Sequence, residues 1–152
     1  MKDIEDQIAE LNNEVKARLA PSAISGVGVF AMRDIKKGER VYCKPREFKK
    51  WYSIPYGRLN ELRPEVKGLI LERWASIING SEFQSPNDDA WLVLFINHSD
   101  YPNYDVTTDS ALRDVRRGEE LTENYRRMVN AEKVYPFLTK RSLLKKVKDC
   151  LL

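Results

Sequence analysis

The chain has one histidine, two cysteines and no apolar run near the roughly 20 residues that a membrane helix requires. Each scarcity excludes something. Cys43 and Cys150 lie far apart and in no metal-ligand spacing, so with a single histidine no zinc site can be assembled from CxxC pairs, and no metal is expected. Two reduced thiols in an intracellular protein are the expectation, not a disulfide. Charge of one sign is not in excess either: 26 basic residues against 23 acidic give a formal net of +3. That is too mild to imply nucleic acid, whose phosphates call for basic residues concentrated on one face. It leaves room for a basic protein substrate, which a strongly positive surface would repel. The opening stretch, MKDIEDQIAELNNEV, is charged throughout and holds no apolar segment of signal-peptide length. The expectation is a soluble, intracellular protein without a membrane or nucleic-acid partner.

What is present points to one folded domain. A chain of 152 residues with 42% hydrophobic content and three Trp can bury roughly two-thirds of its unfolded surface. Ile4, Ile8, Leu11 and Val15 recur at helical spacing behind the capping residue Asp3, which predicts a helix over residues 1–14. From residue 15 to 44 the texture changes to β-branched residues punctuated by Pro21, Gly26, Gly28 and Gly38, a pattern of short strands and turns. Leu59 and Leu62, then Val66, Leu69, Ile70 and Trp74, give helical periodicity on either side of Pro64, which breaks the segment or begins its second piece. Asn79-Gly80 is a hairpin signal. The run Trp91-Leu-Val-Leu-Phe-Ile96 reads as a buried strand that stops at Asn97-His98-Ser99. The tail, residues 133–152, is basic and amphipathic, with Leu143, Leu144, Val147 and Leu151 on one side. One internal echo stands out: AMRDIKKGE at 31–39 and ALRDVRRGE at 111–119. It is too short for a repeat protein and predicts two similar strand-turn-strand corners, each with Gly where positive φ is needed, followed by the strands RVYC and ELTENY. The fold class is an irregular, β-rich α+β domain with inserted helices.

Single motifs are ambiguous. SGVGVFA fits G-x-G-x-x-A, but Gly38 and the Lys36-Lys37 turn follow too soon for the helix that a dinucleotide fingerprint needs. What survives is a tight backbone bend at Gly26 and Gly28, either a plain hairpin turn or a close approach to a ligand. No G-x-S-x-G elbow is present, and His98 cannot serve as base for the adjacent Ser99. Asp88-Asp89 and Glu119-Glu120 read as solvated surface charge. A lone histidine at the end of an apolar strand is ordinarily structural, its ring bonded to a carbonyl.

In order, however, SGVGVFAMRDIKKGERV, LFINHSDYPN and ALRDVRRGEELTENY resemble the SET domain of protein-lysine methyltransferases, over about residues 15 to 125. The resemblance implies small curved β-sheets, a C-terminal segment threaded beneath a loop in a knot-like core, and a domain spanning residues 15–128. Residues 44–90 would be a variable insert, and 129–152 a C-terminal helical segment completing the domain. It implies S-adenosyl-L-methionine on one face and a lysine of a protein or peptide substrate entering from the other through a narrow channel. Gly26, Val27 and Gly28 would offer backbone groups to the methyl donor. Asn97 would hold its methionine end, main-chain groups of His98 its adenine edge, and Phe95 would line the pocket. Tyr125 would be the catalytic residue at the channel. Phe137, or Tyr135, would cover the adenine, unless both simply pack a helix start at Pro136.

Such a site would be cytoplasmic in a bacterium and nuclear or chromatin-associated in a eukaryote. The chain departs from the family's pattern at several places. Glu123-Asn124 stands for Phe-Asp, Asp100 for Cys, Leu94 for Arg and Cys43-Lys44 for Glu-Tyr. A second channel tyrosine is therefore not assignable, and no side-chain base is evident among the motifs. These departures also fit a different class of function, a non-catalytic module that binds a protein partner through the same groove.

Overall fold

A computed structural model describes residues 2–44, 50–72, 82–86, 91–128 and 130–138. Asn79-Gly80, Asp88-Asp89, Cys150 and the leucines of the tail lie outside them. The chain opens with α1 (Ile4–Glu14), capped as its sequence predicts: the Asp3 carboxylate accepts from the Asp6 amide at 2.7 Å, and Ile8 and Leu11 face inward. Eleven residues make a helix too short to persist alone, so burial of this face holds it. Polar side chains fix its register. The Ser53 amide donates to Gln7 Oε1 and the Arg63 amide to Asn12 Oδ1, both at 2.7 Å.

Next come β1 (Ala17–Pro21) and β2 (Val27–Ala31), an antiparallel hairpin closed by Gly26 at φ +49°. β3 (Trp51–Ser53) pairs with β4 (Glu82–Gln84), and between them lie a 3-10 helix, Tyr56–Glu61, and α2 (Pro64–Glu72). Pro64 thus begins a helix, in the first turn, where its missing N–H has no intrahelical acceptor to lose. Then follow β5 (Asn97–His98), β6 (Tyr104–Asp105), β7 (Ser110–Ala111), β8 (Glu120–Glu123) and α3 (Ala131–Val134). The main sheet has the order β1-β2-β8-β5, with β8 antiparallel to β2 and parallel to β5. Among the described residues, no helix is long and apolar enough to cross a membrane.

The apolar residues divide into two cores. Ile8, Leu11, Tyr52, Leu59, Val66 and Phe83 gather where α1, α2 and the β3–β4 pair meet. Val29, Ile35, Val41, Tyr104, Val115 and Leu121 fill the space beneath the main sheet. Two expected strands are absent. Residues 91–96 are not a buried strand, because Leu92–Phe95 coils into a 3-10 helix that buries Leu92, leaves Leu94 70% exposed and returns Ile96 to the core. The core takes Leu92 and Ile96 and part of Val93 but not Leu94, a pattern that a helical turn gives and that strand alternation, which puts Leu94 on the face of Leu92 and Ile96, does not. Nor does RVYC form a strand. Arg40 makes one bridge to Ser110, after which Tyr42 turns to φ +69°, and the Val41 and Cys43 amides donate to the carbonyl and the carboxylate of Asp109.

The internal echo becomes a reciprocal clasp. Ile35 and Val115 exchange both backbone hydrogen bonds at 2.8 Å, Gly38 donates to Ala111, and Gly118 donates to Ala31. Gly38 and Gly118 share φ near +80° (80° and 82°). Asp114 accepts from the Lys37 amide at 2.9 Å, and Asp34 from the Arg117 amide at 2.8 Å. Glu39 caps the Lys36 amide and pairs with Arg33, while Glu119 caps the Arg116 amide and pairs with Arg113. Each corner therefore supplies the partners that the other lacks.

Burial pushes the Glu39 carboxyl up, but the Arg33 guanidinium, the Lys36 amide and the nearby Lys16 outweigh it and draw it down to about 2. A depressed carboxyl stabilises the fold above its unfolded value of 4.5, and that contribution is lost as pH falls toward 2. Glu39→Gln is expected to lower the melting temperature at pH 7 and to shrink the difference between melts at pH 7 and pH 3. Calorimetric melts of both proteins check this, and an unchanged difference contradicts it.

Candidate active site

The site forms where β5 and β8 lie side by side, Asn97 opposite Thr122 and His98 opposite Glu123. Asn103 braces that pair from below. Its buried amide donates to the Glu120 carbonyl at 2.8 Å and accepts from the Thr122 amide at 2.8 Å, acting as a short strand on β8. The Asn of the Tyr-Pro-Asn turn is thus an architectural residue.

Asn97 points its amide nitrogen at four acceptors. Glu120 Oε1 lies at 2.8 Å, Ser22 Oγ and the Ser25 carbonyl at 3.1 Å, and the Val27 carbonyl at 3.3 Å. An amide NH2 carries two protons, so acceptors outnumber the protons they share. Ser22 Oγ donates in turn to Glu120 at 2.8 Å and accepts from the Ile24 amide at 2.9 Å. Glu120, read from the sequence as solvated charge, is instead part of this cluster. It also explains Gly28: a Cβ there would lie 2.1 Å from Glu120 Oε1 and 3.1 Å from Ser22 Cβ. Gly26 is the turn glycine, and Gly28 leaves room for a carboxylate.

Beside the cluster runs a groove of about 560 Å3, lined by Ile24, Ser25, Asn97, His98, Tyr125, Tyr135 and Phe137. Four of these rings touch in sequence. Tyr125 and Tyr135 have centroids 4.7 Å apart, His98 and Tyr125 5.3 Å, His98 and Phe137 5.8 Å, and Tyr135 and Phe137 5.9 Å. The His98 ring is structural, though its partners are not carbonyls: Nδ1 accepts from the Tyr125 amide at 3.1 Å, and Nε2 faces Asp100 Oδ1 at 3.2 Å. That pairing fixes where Tyr125 leaves the strand. The Tyr125 hydroxyl donates to the Ile96 carbonyl at 2.6 Å. Burial, then the charges of Glu123 and Tyr135, push this phenol up, so it stays protonated and its oxygen remains able to accept.

The structure brings Asn97, His98, Tyr125 and Phe137 to one groove and sets the Val27 carbonyl against Asn97. Phe95 does not join them: it lies 43% exposed on the 3-10 helix and is absent from the groove lining. Ser22, Glu120 and Glu123 are the residues that sequence reasoning missed. Alternation along β8 sends Glu120 and Glu123 to opposite faces but marks neither as enclosed. Nothing local marks Ser22. Among the described residues, no group of three His, Cys, Asp or Glu is placed to hold a metal ion.

Gly28→Ala is expected to drive Glu120 off Asn97 and Ser22, costing about 1–3 kcal/mol through unsatisfied polar groups. The urea midpoint measures this, and in a Glu120→Ala background the same substitution should cost far less. Equal losses in both backgrounds contradict the packing assigned to Gly28.

Comparison with known proteins agrees with the motif order. The SET domain family model matches residues 26–126. The "Variant-silencing SET domain-containing protein" of Plasmodium falciparum is 34% identical over 120 residues, covering 66% of this chain and 4% of that protein. The chain therefore spans a small fraction of that relative's length. Among solved structures, a Plasmodium falciparum protein provisionally assigned as a histone methyltransferase aligns at 21% identity and TM-score 0.33, over 72% of this chain and 92% of that one. The Neurospora SET domain protein DIM-5, a histone lysine methyltransferase, aligns at 19% and 0.34, over 85% and 59%. With its three motifs in order and its family match covering most of its length, this chain belongs to the SET domain family.

Proposed function

We propose that the protein is an S-adenosyl-L-methionine-dependent protein-lysine N-methyltransferase. The observation that carries the reading is the excess of acceptors around Asn97 Nδ2, set at the end of an aromatic groove. A primary ammonium brings three donors and a positive charge. It suits a place walled by the Ser25 and Val27 carbonyls, Ser22 and Glu120 better than a single amide does. The aromatic groove suits a flat heterocycle and a sulfonium. Asn97, Glu120, Ser22 and the two carbonyls would hold the amino-acid end of the methyl donor, and His98, Tyr135 and Phe137 its base. When bound, the donor supplies an electrophilic methyl group on a positive sulfur.

The chain's own task is to present a neutral amine in line with that methyl. A free lysine titrates near 10.4, so neutrality at pH 7 costs about 4.6 kcal/mol. An apolar channel and a nearby positive charge both reduce this cost. Alignment of amine, methyl and sulfur contributes further. Tyr125, anchored through its own amide on His98 and through its hydroxyl on Ile96, would orient the amine with its free lone pair. The threading of the C-terminal segment belongs to the same proposal, supported by β8 lying between β2 and β5. So do a domain of residues 15–128 completed by the segment after it, and an intracellular setting. A second reading, a partner-binding module without turnover, is favoured by Lys44 and Glu123 standing where the family's pattern has Tyr and Phe.

Incubation with methyl-labelled donor and a whole-cell protein extract, followed by mass spectrometry, separates the two: label on lysine is expected, and its absence leaves the binding module. Tyr125→Phe is expected to keep donor affinity and lose most turnover, and full activity would refute the role of Tyr125. Asn97→Ala is expected to weaken donor affinity by tenfold or more in a calorimetric titration, and unchanged affinity would remove Asn97 from the site.

A further inference from the structure

β8 has two faces, and they divide the site. Glu120 points to Ser22 and Asn97, on the side assigned to the methyl donor. Strand alternation sends Leu121 and Glu123 to the other side, where Leu121 joins the core with Cys43 and Tyr104. Glu123 is 6% exposed, its carboxylate makes no hydrogen bond among the described residues, and Lys44 is the cation whose charge acts on it. A largely buried carboxylate whose charge only one lysine offsets is costly, and such perturbed groups gather at functional sites. The groups around it are identifiable. Lys44 comes from the segment after Val41, and Tyr104 from β6, its hydroxyl held by Asp109 at 2.8 Å with Cys43 behind. His98 lies across the ladder, and Tyr125 follows two residues on, its phenol within reach of the Glu123 charge. Burial pushes the Glu123 carboxyl up, and Lys44 pulls the other way. Tyr125 thus stands between a groove on one face of β8 and a largely buried carboxylate on the other.

We propose that the Glu123 carboxylate is the proton acceptor for the target amine, meeting it from the face of β8 opposite the methyl donor. The inference rests on the methyltransferase reading above. The lysine arrives as an ammonium, and one N–H proton passes to a Glu123 oxygen, leaving a neutral amine and a neutral carboxylic acid. The nitrogen lone pair then forms the N–C bond as the C–S bond breaks, the electron pair of that bond going to sulfur. The products are a methylated ammonium and a neutral thioether, and Glu123 returns its proton to solvent. A carboxyl raised by burial suits this role because it is a stronger base than an exposed one.

The test compares the wild type with Glu123→Gln, using labelled S-adenosylmethionine and whole-cell protein extract. At pH 7 the variant should methylate lysine about 100-fold more slowly. Its rate should rise roughly tenfold per pH unit toward about 10.4, where the amine loses its proton unaided. The wild-type rate should be far less steep above neutrality and fall in acid as Glu123 protonates. Two readouts are independent of turnover. Affinity for S-adenosylhomocysteine should be unchanged in the variant. Because a raised carboxyl weakens the fold as pH rises through its folded value, the variant's melting temperature should gain on the wild type between pH 4.5 and pH 8. Rates within twofold and parallel pH profiles would overturn the assignment of Glu123 alone. A wild type that labels no lysine would overturn the methyltransferase reading and this inference with it.

Discussion

The site depends on β8 being bonded along both edges. β2 runs antiparallel on one side and β5 parallel on the other, while Asn103 supplies amide and carbonyl to the same strand through its side chain. A four-residue strand has little stability of its own, and here its length is compensated by the density of its partners. Because its position is fixed, the side chains that leave it alternately are fixed as well. Glu120 goes to Ser22 and Asn97, and Glu123 to the opposite side. Two chemically distinct environments are thereby separated by the thickness of one backbone.

The approach to β8 is set by the two matching corners. Ile35 and Val115 bond reciprocally, and the acid of each corner caps an amide of its partner. This ties residues more than 70 positions apart, Lys37 to Asp114 and Arg117 to Asp34, so that β2 and β8 enter the sheet in register. Most of the ionic contacts here are partly exposed, and singly such pairs contribute little. Their weight comes from being hydrogen-bonded to backbone amides that would otherwise lack acceptors. The second core, around α1, α2 and the β3–β4 pair, packs beside this arrangement and joins it through Arg33, which donates to the Asn13 carbonyl at 2.8 Å, and through the ion pair of Arg117 with Glu65.

The aromatic groove illustrates how a structural residue can serve chemistry indirectly. The His98 ring is buried and fully engaged, with one nitrogen on the Tyr125 amide and the other on Asp100. It contributes position. Through it, the end of β8 is turned so that Tyr125 reaches the Ile96 carbonyl and packs against Tyr135. Asp100, which stands where the family's pattern has Cys, is also held by Arg126 at 3.3 Å, and Arg126 reaches the Leu138 carbonyl at 3.1 Å. The chain after Tyr125 is therefore tied back to the turn after β5, bringing Phe137 to the groove.

Periodicity, capping and motif order alone determined α1, a helix boundary at Pro64, the paired corners with their positive-φ glycines, and the family. These rest on local backbone preferences and on residues adjacent in the chain. Residues 91–96 escaped that logic because an apolar run states that some of its side chains are buried, not which. The core below had room for Leu92 and Ile96 and left Leu94 and Phe95 outside. The role of Gly28 was likewise invisible, because the carboxylate that needs its space comes from residue 120. Whether a glutamate is solvated or buried depends on what the fold lays over it. The tertiary structure alone therefore distinguished Glu119, Glu120 and Glu123 from one another: the sequence supplies the charge, and only long-range packing decides how much water and which partners surround it.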